Sequence, residues 1–359
     1  MLFLTIAVVT LLFTVGKSVL RRRAVRRQAE AGLRHAALLD RPAVAEQFGL
    51  VPNGGLVLGH TTLDDSARAA LDAAGHGDWR PAAGYVEAAG RDWDERYDRI
   101  ELLVSLAGRD DAWLNAWRLE RPESSDAAAI QTAALVHAGW RIRGGGYSNT
   151  VTDEMAQGFR AKLAEARATG AEAVRLAPAD DPSPFLSQLA LARGQNWTND
   201  EFRALWAEVF ARAPQHWDGH WQAMQYWCRK WHGSHELMHA FVDGAIAAAP
   251  AGSLLTLYRL DAYTEQYDDA ATRTGPELRA AVDALLADLA VARPDHPKAA
   301  AARGWAVRFL VGQGRYPEAL AQLRALGPVI PRPFLDGEDG PDEFVALRGT
   351  VVAALGGAR

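Results

Sequence analysis

Six prolines punctuate this chain. "LERP" ends at Pro122, "RLAP" at Pro178, "ARAP" at Pro214, "AAAP" at Pro250, "VARP" at Pro294 and "ALGP" at Pro328. Between them run alanine-rich segments whose apolar residues recur at three and four, the period of a helix with one buried face. Proline lacks an N–H and fixes φ, so a helix ends before it. The successive intervals are 56, 36, 36, 44 and 34 residues. An interval near 34 holds two short helices and their turns, the period of the tetratricopeptide (TPR) unit. "FRALWAEVFARAP" (Phe202, Leu205, Trp206, Val209, Phe210) and "GRYPEALAQLRALGP" (Tyr316, Leu320, Leu323) look like second helices of such units. A lone hairpin cannot bury its apolar face, so hairpins stack on hairpins. The expected fold class is all-α, a TPR-like helical-hairpin array (α-solenoid) preceded by one transmembrane helix.

That first helix is expected over residues 1–20. Residues 2–15, "LFLTIAVVTLLFTV", carry no charge, and the stretch reaches Leu20 if Lys17 snorkels to the headgroups. Arg21, Arg22, Arg23, Arg26 and Arg27 follow. Positive charge on this flank alone predicts a single-pass plasma-membrane protein, N-terminus out, with the C-terminal domain cytoplasmic. A helix lying in the membrane plane is the alternative. Residues 21–60 then form a basic juxtamembrane helix and a linker. "RPAVAEQFGLVPNGGLVLGH" (41–60) contains Pro and Gly and keeps no period. The repeat domain is expected over 61–359.

The formal net charge of −5 over 359 residues gives no reason to expect a nucleic-acid partner. The single cysteine, Cys228, excludes an internal disulfide. It falls on an apolar stripe and is read as a small buried hydrophobe.

His235, Glu236 and His239 form the His-Glu-x-x-His pattern of zinc peptidases, in which two imidazoles hold the metal and the glutamate activates its water. A third ligand is needed. The extended three-histidine form is excluded because Val242 and Ala245 occupy the positions that would be Gly and His. Glu265 or Asp261, on the next predicted helix, is the remaining choice. The simpler reading makes Ser234 a helix N-cap, places Glu236 in the first turn against the helix dipole, and packs both histidines into an interhelical seam.

Six of the twelve tryptophans fall between Trp197 and Trp231. In "PQHWDGHWQAMQYWCRKW" (214–231), Trp217, Trp221, Met224, Cys228 and Trp231 make one helical stripe, and His216, His220, Ala223 and Trp227 run beside it. A helix apolar over both stripes is expected to be an inner one, packed on both sides as core. The competing expectation is a groove lined by Trp and His that grips a peptide or small ligand, or a metal held by His216, His220, His232 and His235. "RIRGGGYSNTVTDE" interrupts the period. It is expected to be a shaped connection, with Asn149 and Thr150 capping the next helix, and Arg141 and Arg143 stand beside its three glycines.

Two stretches carry a resemblance. Trp140, Arg143, Gly144, Gly146, Tyr147, Asn149, Thr150 and Val151 resemble the marker Trp-x-x-Arg-Gly-x-Gly-Tyr-x-Asn-Thr-Val of a bacterial TPR-like family, a domain of unknown function. Lys230, Trp231, Gly233 and Ser234 are similar to its second marker. The resemblance covers roughly residues 75–330, on the repeat-period argument. It implies an α-helical body and supplies no catalytic role.

The expected function is a membrane-anchored scaffold or adaptor, not an enzyme, that binds a partner protein or peptide on its cytoplasmic side. No cofactor is implied. The expected working surface comprises Trp140, Arg141, Arg143, Tyr147, Asn149, His216, His220, Trp227, Lys230, His232 and His235. The alternatives are a membrane-tethered zinc hydrolase (His235, His239 and Glu265, with Glu236 as base) and a small-ligand sensor with a Trp/His-lined groove.

Overall fold

The computed structural model describes residues 32, 35–59, 63–144, 151–267, 270–335 and 339–357. The expected membrane helix over residues 1–20 lies outside them. No helix among the described residues is long and apolar enough to cross a membrane. The described residues form sixteen α-helices and two strands of two residues each. They divide into two compact units, where one domain over 61–359 was expected: Thr62–Ala249, and Pro250–Arg359 together with the described part of Met1–Thr61.

The first unit holds ten helices: α2 (Asp65–Gly75), α3 (Arg80–Glu87), α4 (Trp93–Ala107), α5 (Ala112–Glu120), α6 (Ser125–Arg143), α7 (Asp153–Leu176), α8 (Ser183–Gly194), α9 (Asn199–Arg212), α10 (Trp217–Trp227) and α11 (His235–Ala248). The second holds α1 (Pro42–Gln47), α12 (Leu257–Gln266), α13 (Pro276–Val291), α14 (Ala299–Gly312), α15 (Tyr316–Leu326) and α16 (Gly340–Val352). Each of the six prolines comes two or three residues after a helix end: Glu120, Leu176, Arg212, Ala248, Val291 and Leu326. One helix pair fills each interval. The 56-residue interval is long because α6 has 19 residues and α7 has 24, in addition to the glycine-rich connection.

Short polar side chains start several of the helices by accepting backbone N–H groups that have no partner within the helix. Ser124 accepts from Ala127 and Ser234 from Leu237. Thr198 and Glu201 form a reciprocal capping box on α9. The cap of α7 is Thr152, which accepts from Met155. That corrects the expected role of Asn149 and Thr150, which lie outside the described residues.

The stretch expected to be a linker is folded. Its residues form α1, then β1 (Val57–Leu58), which pairs in parallel with β2 (Val329–Ile330). Arg324 Nε donates to the Phe48 carbonyl at 2.7 Å. Arg348, 1% exposed, donates from Nη1 to Asn53 Oδ1 at 2.7 Å and from Nη2 to the Val51 carbonyl. Asn53 in turn donates to the Ala36 carbonyl at 2.8 Å. Beside Arg348, a Cβ on Gly349 would stand 2.4 Å from the Ala36 nitrogen, so the segment needs that notch. The segment lacks a period, but the Phe48 and Val51 carbonyls are satisfied by arginines almost 300 residues away.

Burial lowers the Arg348 pKa to about 10, which leaves the side chain protonated at neutral pH. Arg348→Met keeps the volume but strips Asn53 Oδ1 and the Val51 carbonyl of their donor. The expected cost is about 2 kcal/mol. Amide hydrogen exchange should rise across residues 51–58 while α14 and α15 stay protected. Unchanged exchange at 51–58 would show that the latch is not Arg348.

Candidate functional site: a tryptophan–arginine seam

Three chain segments converge within Thr62–Ala249. The last turn of α6 carries Trp140 and Arg143. The last turn of α8 carries Arg193. The turn after α10 carries Arg229, Lys230, Trp231 and His232. Trp140 and Trp231 meet edge to face, with ring centroids 5.3 Å apart at 84°. Arg143 lies over both rings at 5.6 and 5.5 Å, and Arg193 over both at 5.2 and 5.5 Å. Such guanidinium–indole contacts are worth about 0.5–1 kcal/mol each at exposed sites and more when dry. Phe159 of α7 closes the Trp140 side at 5.0 Å.

His232 anchors the turn. Its Nε2 lies 2.9 Å from the Arg193 carbonyl, an acceptor only, so Nε2 carries the proton. Its ring stacks on Tyr226 at 4.7 Å. Arg193 Nη1 donates to Gln222 Oε1 at 3.1 Å, and Gln222 hydrogen-bonds the Tyr97 hydroxyl. Burial drives the Tyr97 phenol well above its ordinary pKa, so it stays protonated. Trp140, Arg143, Trp231 and His232 are partly exposed; Arg229 and Lys230 are exposed. The seam offers indole edges, guanidinium groups and a basic rim.

The other expected site residues go elsewhere. Arg141 donates to the Gly108 carbonyl at 3.1 Å. Tyr147 and Asn149 lie outside the described residues. His216 and His220 are buried parts of the frame. His216 Nδ1 accepts the Gly219 N–H at 3.0 Å as the N-cap of α10, so Nε2 carries the proton and faces the Trp93 carbonyl at 3.2 Å. His220 Nε2 donates to the Pro214 carbonyl at 2.9 Å, and its ring packs on Trp206 at 4.9 Å. Trp227 is buried against Phe202 and Tyr226.

The expected packing on both sides holds for one stripe and for Met224 and Cys228 of the other, and is corrected at Trp221. The His216–His220–Ala223–Trp227 stripe is buried throughout, whereas Trp221 of the other stripe is 37% exposed. The helix also stops at Trp227, so Trp231 lies on a turn and not on that stripe. Cys228 is buried as expected, with Sγ near the Met224 carbonyl and 3.3 Å from Met238 Sδ.

His235 and Glu236 open α11 behind the Ser234 cap, and Met238, Val242 and Ala245 form its buried face. Hydrogen bonding from Ser234 holds the Glu236 carboxyl below the usual carboxylate range. A lowered pKa makes it a weaker general base. Among the described residues, no group of three or more His, Cys, Asp or Glu side chains is placed to hold a metal ion. Asp261 and Glu265 belong to the other unit.

No family model matches the chain, and neither a curated protein nor a solved structure matches it. Sequence reasoning missed Arg193, Gln222, Tyr97 and Phe159. Arg193 is the penultimate residue of α8 and carries no local signal; only its meeting with the two indoles marks it out.

Proposed function

We propose that this chain is a scaffold or adaptor of the TPR-like α-solenoid class, held to the inner face of a membrane by residues 1–20. Its Trp140–Trp231 seam takes a segment of a partner protein. The single observation that carries this reading is the convergence of the two marker stretches. Trp140 and Arg143 stand about 90 residues from Trp231 and His232 in sequence, yet share one aromatic–cationic cluster. Partly exposed indoles beside arginines are the side chains that most often anchor a partner segment. The rim of Arg229 and Lys230 favours a segment that carries carboxylates. The resemblance to the bacterial TPR-like family is part of the same reading.

A photo-crosslinking amino acid at position 229 tests it in cells. One discrete adduct is expected, lost in Trp231→Ala and reduced when residues 1–28 are removed. Circular dichroism checks that the variant keeps its helices. No adduct, or an adduct indifferent to Trp231→Ala, would exclude the seam as the docking surface.

A further inference from the structure

The second unit contains a cavity of about 330 Å³, apart from the seam. It opens where the end of α13, the Pro294–Pro297 turn, the first turn of α14 and the end of α15 meet. Its cationic lining is unusual for a space bounded by alanines and prolines. Arg293, Arg303 and His296 all face it, with Asp295 as the one carboxylate. Asp295 lies 3.7 Å from Arg293 and partly offsets it. Arg303 is different. It is half-buried, and its hydrogen bond is to a neutral partner, Gln322 Oε1 of α15, at 2.7 Å. Burial lowers its pKa, and among the described residues no carboxylate raises it back. A guanidinium drawn partly out of water without a counter-charge is costly and is normally paired. The wall next to Arg303 is also receptive to negative charge. Ala299 and Ala300 open α14, a 14-residue helix with no side-chain cap; the Ala299 N–H already bonds the His296 carbonyl at 3.0 Å, and the helix dipole brings its positive end to the cavity wall.

We infer that this cavity is a binding site for a small molecule carrying an oxyanion, a carboxylate or a phosphate ester, with its charge against Arg303 and the first turn of α14. The volume lies at the lower end of the range for small-molecule sites. The same charge-assisted, two-pronged hydrogen bonding by Arg303 serves either anion.

Titration of the full-length chain with inorganic phosphate and, separately, with malonate tests this, against chloride at equal ionic strength. Saturable binding at millimolar concentration is expected for at least one probe, with backbone amide shifts at Ala299 and Ala300. The tighter probe identifies the head group. Arg303→Gln should weaken binding at least about tenfold without changing the circular dichroism spectrum. Arg303→Lys, which keeps the charge, should retain measurable binding. No saturable binding of either probe by the wild-type chain would overturn the inference. So would amide shifts confined to other residues, or equal affinity in Arg303→Gln. The wild-type titration decides the matter even if the glutamine variant does not fold.

Discussion

Gly233→Ala is expected to destabilise the Thr62–Ala249 unit by about 3 kcal/mol or more and to dismantle the tryptophan–arginine seam. A Cβ at this position would lie 1.9 Å from the Trp227 carbonyl oxygen and 2.5 Å from its carbon. The obstacle is backbone, so no side-chain rotation relieves it. The turn itself must open. That would strain the bonds of the Trp231 and Gly233 N–H groups to the Cys228 carbonyl, and that of His232 N–H to the Tyr226 carbonyl. Trp231 would then leave Trp140, and Ser234 would lose its alignment as the cap of α11. Eleven of the twelve tryptophans lie between Trp79 and Trp231, inside this unit. Urea unfolding followed by tryptophan fluorescence therefore reports the unit directly. An unfolding midpoint equal to wild type would show that the turn relaxes cheaply.

Acidification should cost this unit about 3 kcal/mol through His220 alone between pH 6.5 and about pH 4. Desolvation lowers the His220 pKa from 6.5 to about 4. Its Nε2–H is committed to the Pro214 carbonyl, and Nδ1 is buried without a hydrogen-bond partner, facing a pocket of rings from Trp206 and Phe241. The unfolded chain takes up a proton near pH 6.5, whereas the folded chain refuses it until about pH 4. Between these values the unfolded state binds more protons, so stability is full above pH 6.5 and falls as pH drops. Asp126 works in the opposite sense. Burial raises its carboxyl pKa despite Arg96 beside it, so the folded form gains relative stability once that group protonates in acid. His220→Gln keeps a donor for the Pro214 carbonyl and cannot titrate. The stability difference between wild type and His220→Gln should therefore shrink by about 3 kcal/mol on going from pH 7 to pH 4. A difference independent of pH would mean that His220 does not resist protonation in the folded chain.

The seam was only partly legible in sequence. Trp140, Arg143, Lys230 and His232 stood out because each belongs to an odd stretch, one glycine-rich and one dense in aromatic and basic residues. Their union did not. Nothing local predicts that Arg193 reaches both indoles, or that His232 bonds to the Arg193 carbonyl. The two stripes of α10 show a related limit. Apolar spacing marks Trp217 and Trp221 as core, yet Trp221 is 37% exposed, while the imidazoles of His216 and His220 are buried with three of their four ring nitrogens bonded to backbone groups. A sequence lists polar atoms and not the partners that make their burial tolerable.

By itself the sequence determined most of the helices, the ends that prolines mark and the pairing into hairpins, because a proline that cannot continue a helix and a three-to-four apolar period are local properties. Only the tertiary structure decided that residues 41–59 fold with the C-terminal helices, that the array divides into two units, and that Trp140 meets Trp231. Each of these rests on groups far apart in the chain: a buried guanidinium with a carbonyl, a glycine notch with a backbone nitrogen, one indole with another. Their energies exist only once both partners have lost their water together.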